Sequence, residues 1–482
     1  MNSNRYDLVV IGAGPAGLSA ALFAARRSRK VLLVHRDRKL GGECLHRGTI
    51  PSKTLRACAE HLASLRARTA GVVDLELASQ TKLESLMRRL DHVVEVHEQS
   101  LEKEVLGVGV ERAHSKARFL TDHTLELVAP SGAKQVVYGE KILIATGSRP
   151  RKPDDVCVDH ETVLDSDSIL SMLYLPRSLA VLGGGVIASE FATIFLALGV
   201  DVTMIDQRSK PLAFLDDEIS QRFKEAFEAD GGKFLGSVKY RAVNVDVLGG
   251  VTIELTNGPT VQAEKVLIAL GRAAQVQGLE LSAAGLAINP RGHLSVDAHG
   301  RTTVPHIYAA GDVVGPPALA ASSVEQGRRA AQHALGVENE GSHAPAPMGI
   351  YTIPELASVG VTEAEARSVC PDVVVGISHF DQLARGAING DARGMLKLLA
   401  HPGTGQLLGA HIIGDGATEL IHLAQLAMAG GMPVSTFVDS VFNFPTLAEA
   451  YRIAALEIEE RRRVQAQRVP APLPNAQPVA AG

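Results

Sequence analysis

The chain has 482 residues, with 48 basic and 53 acidic side chains and a formal net charge of -5, so no global positive field marks it for nucleic acid or an anionic membrane. Hydrophobic residues make up 46% and aromatic residues 4%, with no Trp. Cores can form, but a base-stacking platform is not expected. At about 150 residues per domain, the length points to roughly three domains.

In chain order, residues 6–11 (YDLVVI) read as a buried parallel strand, 15–26 as a small-residue helix after a glycine turn, and 30–34 as a second apolar strand. Together they make a βαβ unit. The apolar run 8–25 contains Gly12, Gly14, Pro15 and Gly17 and has no basic leader. It is therefore read as neither signal peptide nor membrane span. Residues 53–105 are charged and helically periodic, an excursion from the first domain, and 110–150 alternate as short strands. A second βαβ unit starts at Ser178 (SLAVLG), passes Gly183-Gly184-Gly185 into a helix through Leu198, and continues as a strand over 200–205. Residues 341–460 have a proline-containing entry, strands near 351–361 and 394–414, then helices, which reads as an α+β domain. The Pro/Ala-rich end from Val469 has the composition of a disordered tail. Cys44, Cys58, Cys157 and Cys370 lack metal-ligand spacing. They are read as reduced thiols of a cytoplasmic protein, and no metal site is expected.

Two glycine clusters carry the first chemical signal. In Gly12-x-Gly14-x-x-Gly17, with Pro15 and Ala16 between, Gly12 permits the tight turn, Gly14 lets backbone approach a pyrophosphate, and Gly17 lets helix pack on strand. The helix start then offers free N–H groups to phosphate. Gly183-x-Gly185-x-x-Ala188, enclosing Val186 and Ile187, repeats the logic. Its second strand leads to Asp206, an acceptor for an adenosine ribose that favours NAD(H). Arg208 two residues on offers a guanidinium to a 2′-phosphate, so NADP(H) stays open, as does a merely solvated Arg208. The first unit ends differently, in His35, Arg36 and Asp37. His35 can bond a ribose hydroxyl, with Asp37 as its substitute.

Residues 41–56, GGECLHRGTIPSKTLR, resemble the redox-active segment of the flavoprotein disulfide reductases, the dihydrolipoamide dehydrogenase and glutathione reductase family. That family carries two cysteines five positions apart. Here the first is Cys44 and the second position is Thr49. A hydroxyl cannot form a disulfide or a charge-transfer thiolate, so dithiol chemistry is excluded at this place. ATGSRP (145–150), GR (271–272), YAAGD (308–312) and PELASVGVTEAEA (354–366) extend the resemblance over nearly the whole chain. The branch it fits is the soluble, Si-specific pyridine nucleotide transhydrogenases, through GTIPSK (48–53), DSDSIL (165–170), FLDDEIS (214–220) and FNFPTLAEAYRIAAL (442–456). Disulfide reductases carry a His before the Pro-Thr of the last segment, serving the dithiol. Here it is Phe444, with Glu449 retained. Loss of the cysteine and the histidine together is coherent, because each serves the other's chemistry.

The resemblance implies an α/β fold of two Rossmann-like domains, for FAD and NAD(P), plus an α+β C-terminal dimerisation domain. The implied limits are 1–150 and 275–340 for the FAD domain, 151–274 for the NAD(P) domain, 341–463 for the interface domain and 464–482 for the tail. It implies non-covalent FAD held by Gly12, Gly14, Pro15, Ala16, Gly17, His35, Arg36, Gly42, Glu43, Cys44, Lys53, Thr146, Gly147, Ser148, Gly311, Asp312 and Ala320. It implies NAD(H)/NADP(H) as substrates at Gly183, Gly185, Val186, Ile187, Glu190, Asp206, Arg208, Gly271 and Arg272. In the family Lys53 and Glu190 pair beside flavin N5, where an ion pair suits control of the charge arriving with hydride. Cys44 reads as a buried thiol, and His46 either shuttles a proton or packs. A homodimer is implied, with Phe444 and Glu449 facing the partner's flavin. The implied activity is ping-pong hydride transfer between the two nicotinamide couples through flavin N5. A quinone or other small acceptor is the alternative, and a non-catalytic redox sensor is the reading from another class.

Overall fold

A computed structural model of the chain describes residues 4–69, 83–246, 249–337, 345–390 and 393–468. Two compact units form, residues 1–213 with 227–341, and 214–226 with 342–482.

The first unit is built around two open sheets. The strand Arg5–Ile11 lies between Val31–His35 and Lys134–Ile144, parallel to both. It is buried almost throughout, as an apolar run must be when both faces of a parallel sheet are covered. Glu111–His114 continues the sheet beyond Val31–His35, while Thr124–Val128 and Lys116–Phe119 add antiparallel strands on the other side. The strand Ile307–Ala309 pairs with the upper half of Lys134–Ile144. Helix Pro15–Ala25 crosses helix Ala320–Ala334 so closely that a Cβ on Gly327 would stand 2.0 Å from the carbonyl oxygen of Ala16. The second sheet is all parallel, in the order Lys233–Leu235, Asp201–Ile205, Ser178–Leu182, Lys265–Ile268, Val163–Leu164. Helix Val186–Ala197 follows its central strand. The expected helical excursion forms the helices Thr49–Thr69 and Leu83–Gly107, packed together.

The second unit holds an antiparallel sheet ordered Met348–Ile350, Leu356–Gly360, Leu407–Ile413, Met395–Ala400, Val374–His379. Helices Ala417–Ala429 and Glu449–Arg468 pack on it around Ile421, Tyr451, Ala454 and Ile458, all 1% exposed or less. Three expectations change. The second strand of the first βαβ unit runs one residue further, which puts His35 inside it. The tail expected over 464–482 is helical through Arg468, as part of helix Glu449–Arg468; residues 469–482 lie outside the described residues. The segment 214–226, expected with the nucleotide-binding domain, packs with the second unit. Its reason is Lys397, which is 3% exposed and bonds Asp216 Oδ1 at 2.9 Å and Glu363 Oε2 at 2.6 Å.

Candidate flavin and nucleotide site

Gly12 takes φ +114°, and a Cβ there would stand 2.2 Å from the oxygen of Ala145, so this turn admits only glycine. A Cβ on Gly17 would stand 1.8 Å from the oxygen of Gly12. Beside Gly14, by contrast, a Cβ would meet open space, and helix Pro15–Ala25 starts there with no side-chain cap. Unspent N–H groups facing open space form a phosphate cradle. Gly42 packs its backbone against Gly14, which brings the 41–56 segment onto the same turn.

Polar atoms around the cradle await a partner. His35 Nδ1, Glu43 Oε2 and Thr146 Oγ1 are buried and unbonded, a costly state unless a ligand supplies the bonds. Burial, with Arg112 and His114 nearby, lowers the His35 pKa to about 4. His35 is thus a neutral imidazole at physiological pH, able to accept or donate to a ribose hydroxyl. Glu43 Oε1 accepts from Arg47 at 3.1 Å and stands 3.6 Å from Arg36. Ser148 Oγ donates to Asp312 Oδ2 at 2.5 Å, and Gly311 N–H donates to Gln326 Oε1 at 2.9 Å. A Cβ on Gly147 would meet open space, and Ala320 opens helix Ala320–Ala334. These groups fit a dinucleotide with a pyrophosphate, a ribose and a polar linker, which is the chemistry of FAD.

The 41–56 segment forms the short helix Gly42–His46 and then helix Thr49–Thr69. Thr49 stands near enough to the Cys44 thiol to pull its pKa down. Burial raises the Cys44 pKa above the ordinary thiol value, against the smaller opposing pull of Thr49 and Lys53, so it is a thiol at neutral pH. His46 Nε2 is 2.7 Å from the carbonyl oxygen of Leu40, which ties the ring to backbone. One turn into the second helix, Lys53 Nζ donates to Glu190 Oε2 at 2.6 Å, bridging 137 residues of sequence. Glu190 is 6% exposed and Lys53 23%.

At the second cradle, helix Val186–Ala197 also starts uncapped, at Gly185, beside open space. Asp206 lies against Gly184, with Cγ 3.0 Å from where a Cβ would stand, and its Oδ1 accepts the Arg208 N–H at 2.7 Å. The Arg208 residue is exposed. Gly271 takes φ +100°. Arg272, assigned from the sequence to the nicotinamide nucleotide, donates from Nε to Ser148 Oγ at 2.7 Å and lies 4.0 Å from Asp312, two residues assigned from the sequence to FAD. In the second unit Phe444 is 76% exposed, and Glu449 Oε2 accepts the Thr446 N–H at 3.1 Å. Sequence reasoning missed Gln326, Arg112, His114 and Arg47; the first three are placed by tertiary pairing, and Arg47 by its i,i+4 bond to Glu43.

Residues 6–327 match the family described as "Pyridine nucleotide-disulphide oxidoreductase", and 346–455 match its dimerisation domain. The chain belongs to the pyridine nucleotide-disulphide oxidoreductase family. Within that family it is 41% identical over 461 residues to a "Soluble pyridine nucleotide transhydrogenase" of Mycobacterium tuberculosis, covering 95% of this chain and 98% of the relative. It is 37% identical to one of Pseudomonas aeruginosa, covering 94% and 98%. Among solved structures, LpdA from Mycobacterium tuberculosis superposes with a TM-score of 0.87 at 26% identity, over 94% of this chain and 99% of that one. The HOCl-induced flavoprotein disulfide reductase RclA from Escherichia coli does so with 0.84 at 26%, over the same shares. The family's fold, two nucleotide-binding regions and a C-terminal dimerisation domain, is the fold of this chain. Among the described residues no helix is long and apolar enough to cross a membrane.

Proposed function

We propose that the chain is an FAD-dependent, cytoplasmic, homodimeric enzyme that moves hydride between NADPH/NADP+ and NADH/NAD+ with no dithiol stage. The observation that carries this is Thr49 at the position of the second redox cysteine, with the Lys53–Glu190 pair intact: the second redox thiol is missing while the charge pair is kept. When bound, FAD supplies reversible two-electron hydride exchange at its isoalloxazine ring. The uncapped start of Pro15–Ala25 holds its pyrophosphate, His35 its adenosine ribose, and Ser148 with Asp312 its polar linker. Arg272 donates to Ser148 and stands 4.0 Å from the Asp312 carboxylate, holding the two side chains in position. The start of Val186–Ala197 binds the nicotinamide nucleotide's pyrophosphate, and Asp206 its ribose. Glu190 holds the Lys53 ammonium in place, where it lowers the cost of negative charge arriving with a hydride. Phe444 cannot serve as an acid or base, in keeping with a reaction that needs no thiol protonation.

The test is anaerobic transfer from NADPH to the thionicotinamide analogue of NAD+ by the FAD-loaded protein. Transfer with a parallel-line kinetic pattern is expected. Rapid oxidation of NADPH by a quinone with no thionicotinamide reduction would overturn the reading. Nucleotide choice gives a second expected result. Arg208→Ala weakens NADP(H) at least tenfold more than NAD(H), about 1.4 kcal/mol of differential binding, because only NADP(H) offers a phosphate. Asp206→Ala does the reverse. Matched changes in KM for both nucleotides in Arg208→Ala would remove Arg208 from the site.

A further inference from the structure

We propose that Asp122, His123 and His306 form a binding site for one divalent first-row transition ion, of the class of Zn2+. Each residue offers one ligand atom, and the three atoms lie within 4.8 Å of one another. Asp122 and His123 sit on the turn between Lys116–Phe119 and Thr124–Val128, and His306 immediately precedes Ile307–Ala309. Both pieces of chain pair with the single strand Lys134–Ile144, at its two ends. That strand pins both histidine backbones: Gly139 N–H donates to the oxygen of His123 at 3.0 Å, and Ile142 N–H to that of His306 at 3.1 Å. The two histidine backbones are thus fixed by sheet pairing before any ion arrives, which lowers the ordering cost of binding.

The side chains have the chemistry of such a site. His123 Nδ1 is 2.8 Å from the Gly139 oxygen. Donation there fixes the tautomer and frees the Nε2 lone pair, the arrangement found behind metal-bound imidazoles. His306 Nε2 is 3.0 Å from the Asp122 backbone oxygen and 3.8 Å from Asp122 Oδ2. Two imidazoles and one carboxylate suit Zn2+ and its neighbours over Mg2+ or Ca2+, and leave one position of a tetrahedral ion for water. The two rings stack at 3.7 Å with 6° between their planes, and Tyr138 stacks on the other face of His123 at 5.1 Å. Parallel rings direct their lone pairs in parallel planes, so one ring must turn to share an ion. His123 is clamped between neighbours, so His306 is the one that turns. Asp122, 54% exposed, closes from the solvent side. The ligands come from positions 184 residues apart, which is why no sequence spacing reveals them and why a search of cysteine spacings finds nothing. The bound ion would staple the turn to the strand that leads into Gly311 and Asp312.

The experiment takes FAD-loaded protein stripped with a chelator and titrates Zn2+ against a chromophoric zinc indicator, while following thermal unfolding. One Zn2+ per chain is expected to bind above the level of a His123→Gln/His306→Gln double variant. Asp122→Asn should weaken it at least tenfold, and the zinc-dependent rise in unfolding midpoint should vanish in His306→Gln. Equal zinc uptake by the double variant overturns the proposal. X-ray absorption of zinc on the unmutated protein decides independently of whether any variant folds. Two imidazole nitrogens at about 2.0 Å support the site; a shell of oxygen or sulfur without them overturns it.

Discussion

Reduction of the bound flavin by NADH or NADPH is expected to slow at least tenfold when Lys53 is replaced by Met, with FAD still bound. Met keeps much of the apolar stem and deletes the ammonium that stands 2.6 Å from Glu190. A tenfold loss requires only about 1.4 kcal/mol of transition-state stabilisation, a small demand for a charge in a site where Glu190 is 6% exposed. FAD should be retained because the Gly14 cradle, His35 and Asp312 are proposed to hold its other parts. Glu190→Gln should also slow reduction, and the double variant should lose less than the product of the two factors, since the side chains act as a pair. Rapid-mixing absorbance of the flavin reads this step before any acceptor takes part. A Lys53→Met protein reduced at the unmutated rate would make the pair structural and move the centre elsewhere.

The largest loss of stability is expected from Lys397→Met. Lys397 lies mid-strand in Met395–Ala400, with Asp216 2% exposed beside it and Glu363 and Glu218 within 3.4 Å. Removing the cation leaves a buried carboxylate uncompensated, at a cost of about 3–5 kcal/mol. Burial alone would raise Asp216 and Glu363, but the bonds to Lys397, with the Glu363 N–H for one and Arg367 for the other, outweigh it and leave both pKa values lowered. Burial opposes charge on Lys397 as well, and the bonds to Glu363 and Asp216 outweigh it, leaving its pKa raised. The carboxylates therefore stabilise the fold above their unfolded pKa values of about 4, and lose that as pH falls through their folded values. The ammonium's contribution is present below its unfolded value of about 10.4 and is lost as pH rises through the folded one. Denaturation midpoints of the two proteins should differ most across the neutral range and converge in acid. Equal midpoints at pH 7 would refute the role.

Much of this was legible because the strongest constraints are local. Gly12 and Gly17 are required by one turn, and that turn follows a strand whose apolar run is visible without a structure. Thr49 in place of a cysteine is likewise a statement about one atom. The strand Val374–His379 went unseen for a physical reason. Gly376, which reads as a breaker, is glycine because helix Glu449–Arg468 crosses it, and a Cβ would stand 2.1 Å from the Ala454 oxygen. The contact of Arg272 with Ser148 was not legible because strand Arg272–Ala274 pairs with Ser148–Pro150, a union of segments more than a hundred residues apart. His35 was read as a ribose ligand, but its lowered pKa comes first from burial and then from Arg112 and His114, brought alongside by the neighbouring strand Glu111–His114. Lys397 stands out in MLKLLA, yet its partners Asp216 and Glu363 come from other parts of the chain.

Glu190 is the fifth residue of a helix that begins, uncapped, right after Gly185. At about 1.5 Å of rise per residue it stands roughly 7 Å along the axis from the end that receives a phosphate. The helix is therefore a ruler, with the docking mark at one end and the charged mark part-way along. NAD(H) and NADP(H) differ only at the far side of the adenosine ribose, behind the zero of that scale. On the proposed reading, either nucleotide, arriving as donor or leaving as acceptor, would be set to the same depth against Lys53. Such a centre has no means of telling forward from reverse, and the direction of flow passes to the concentrations of the four nucleotides around it.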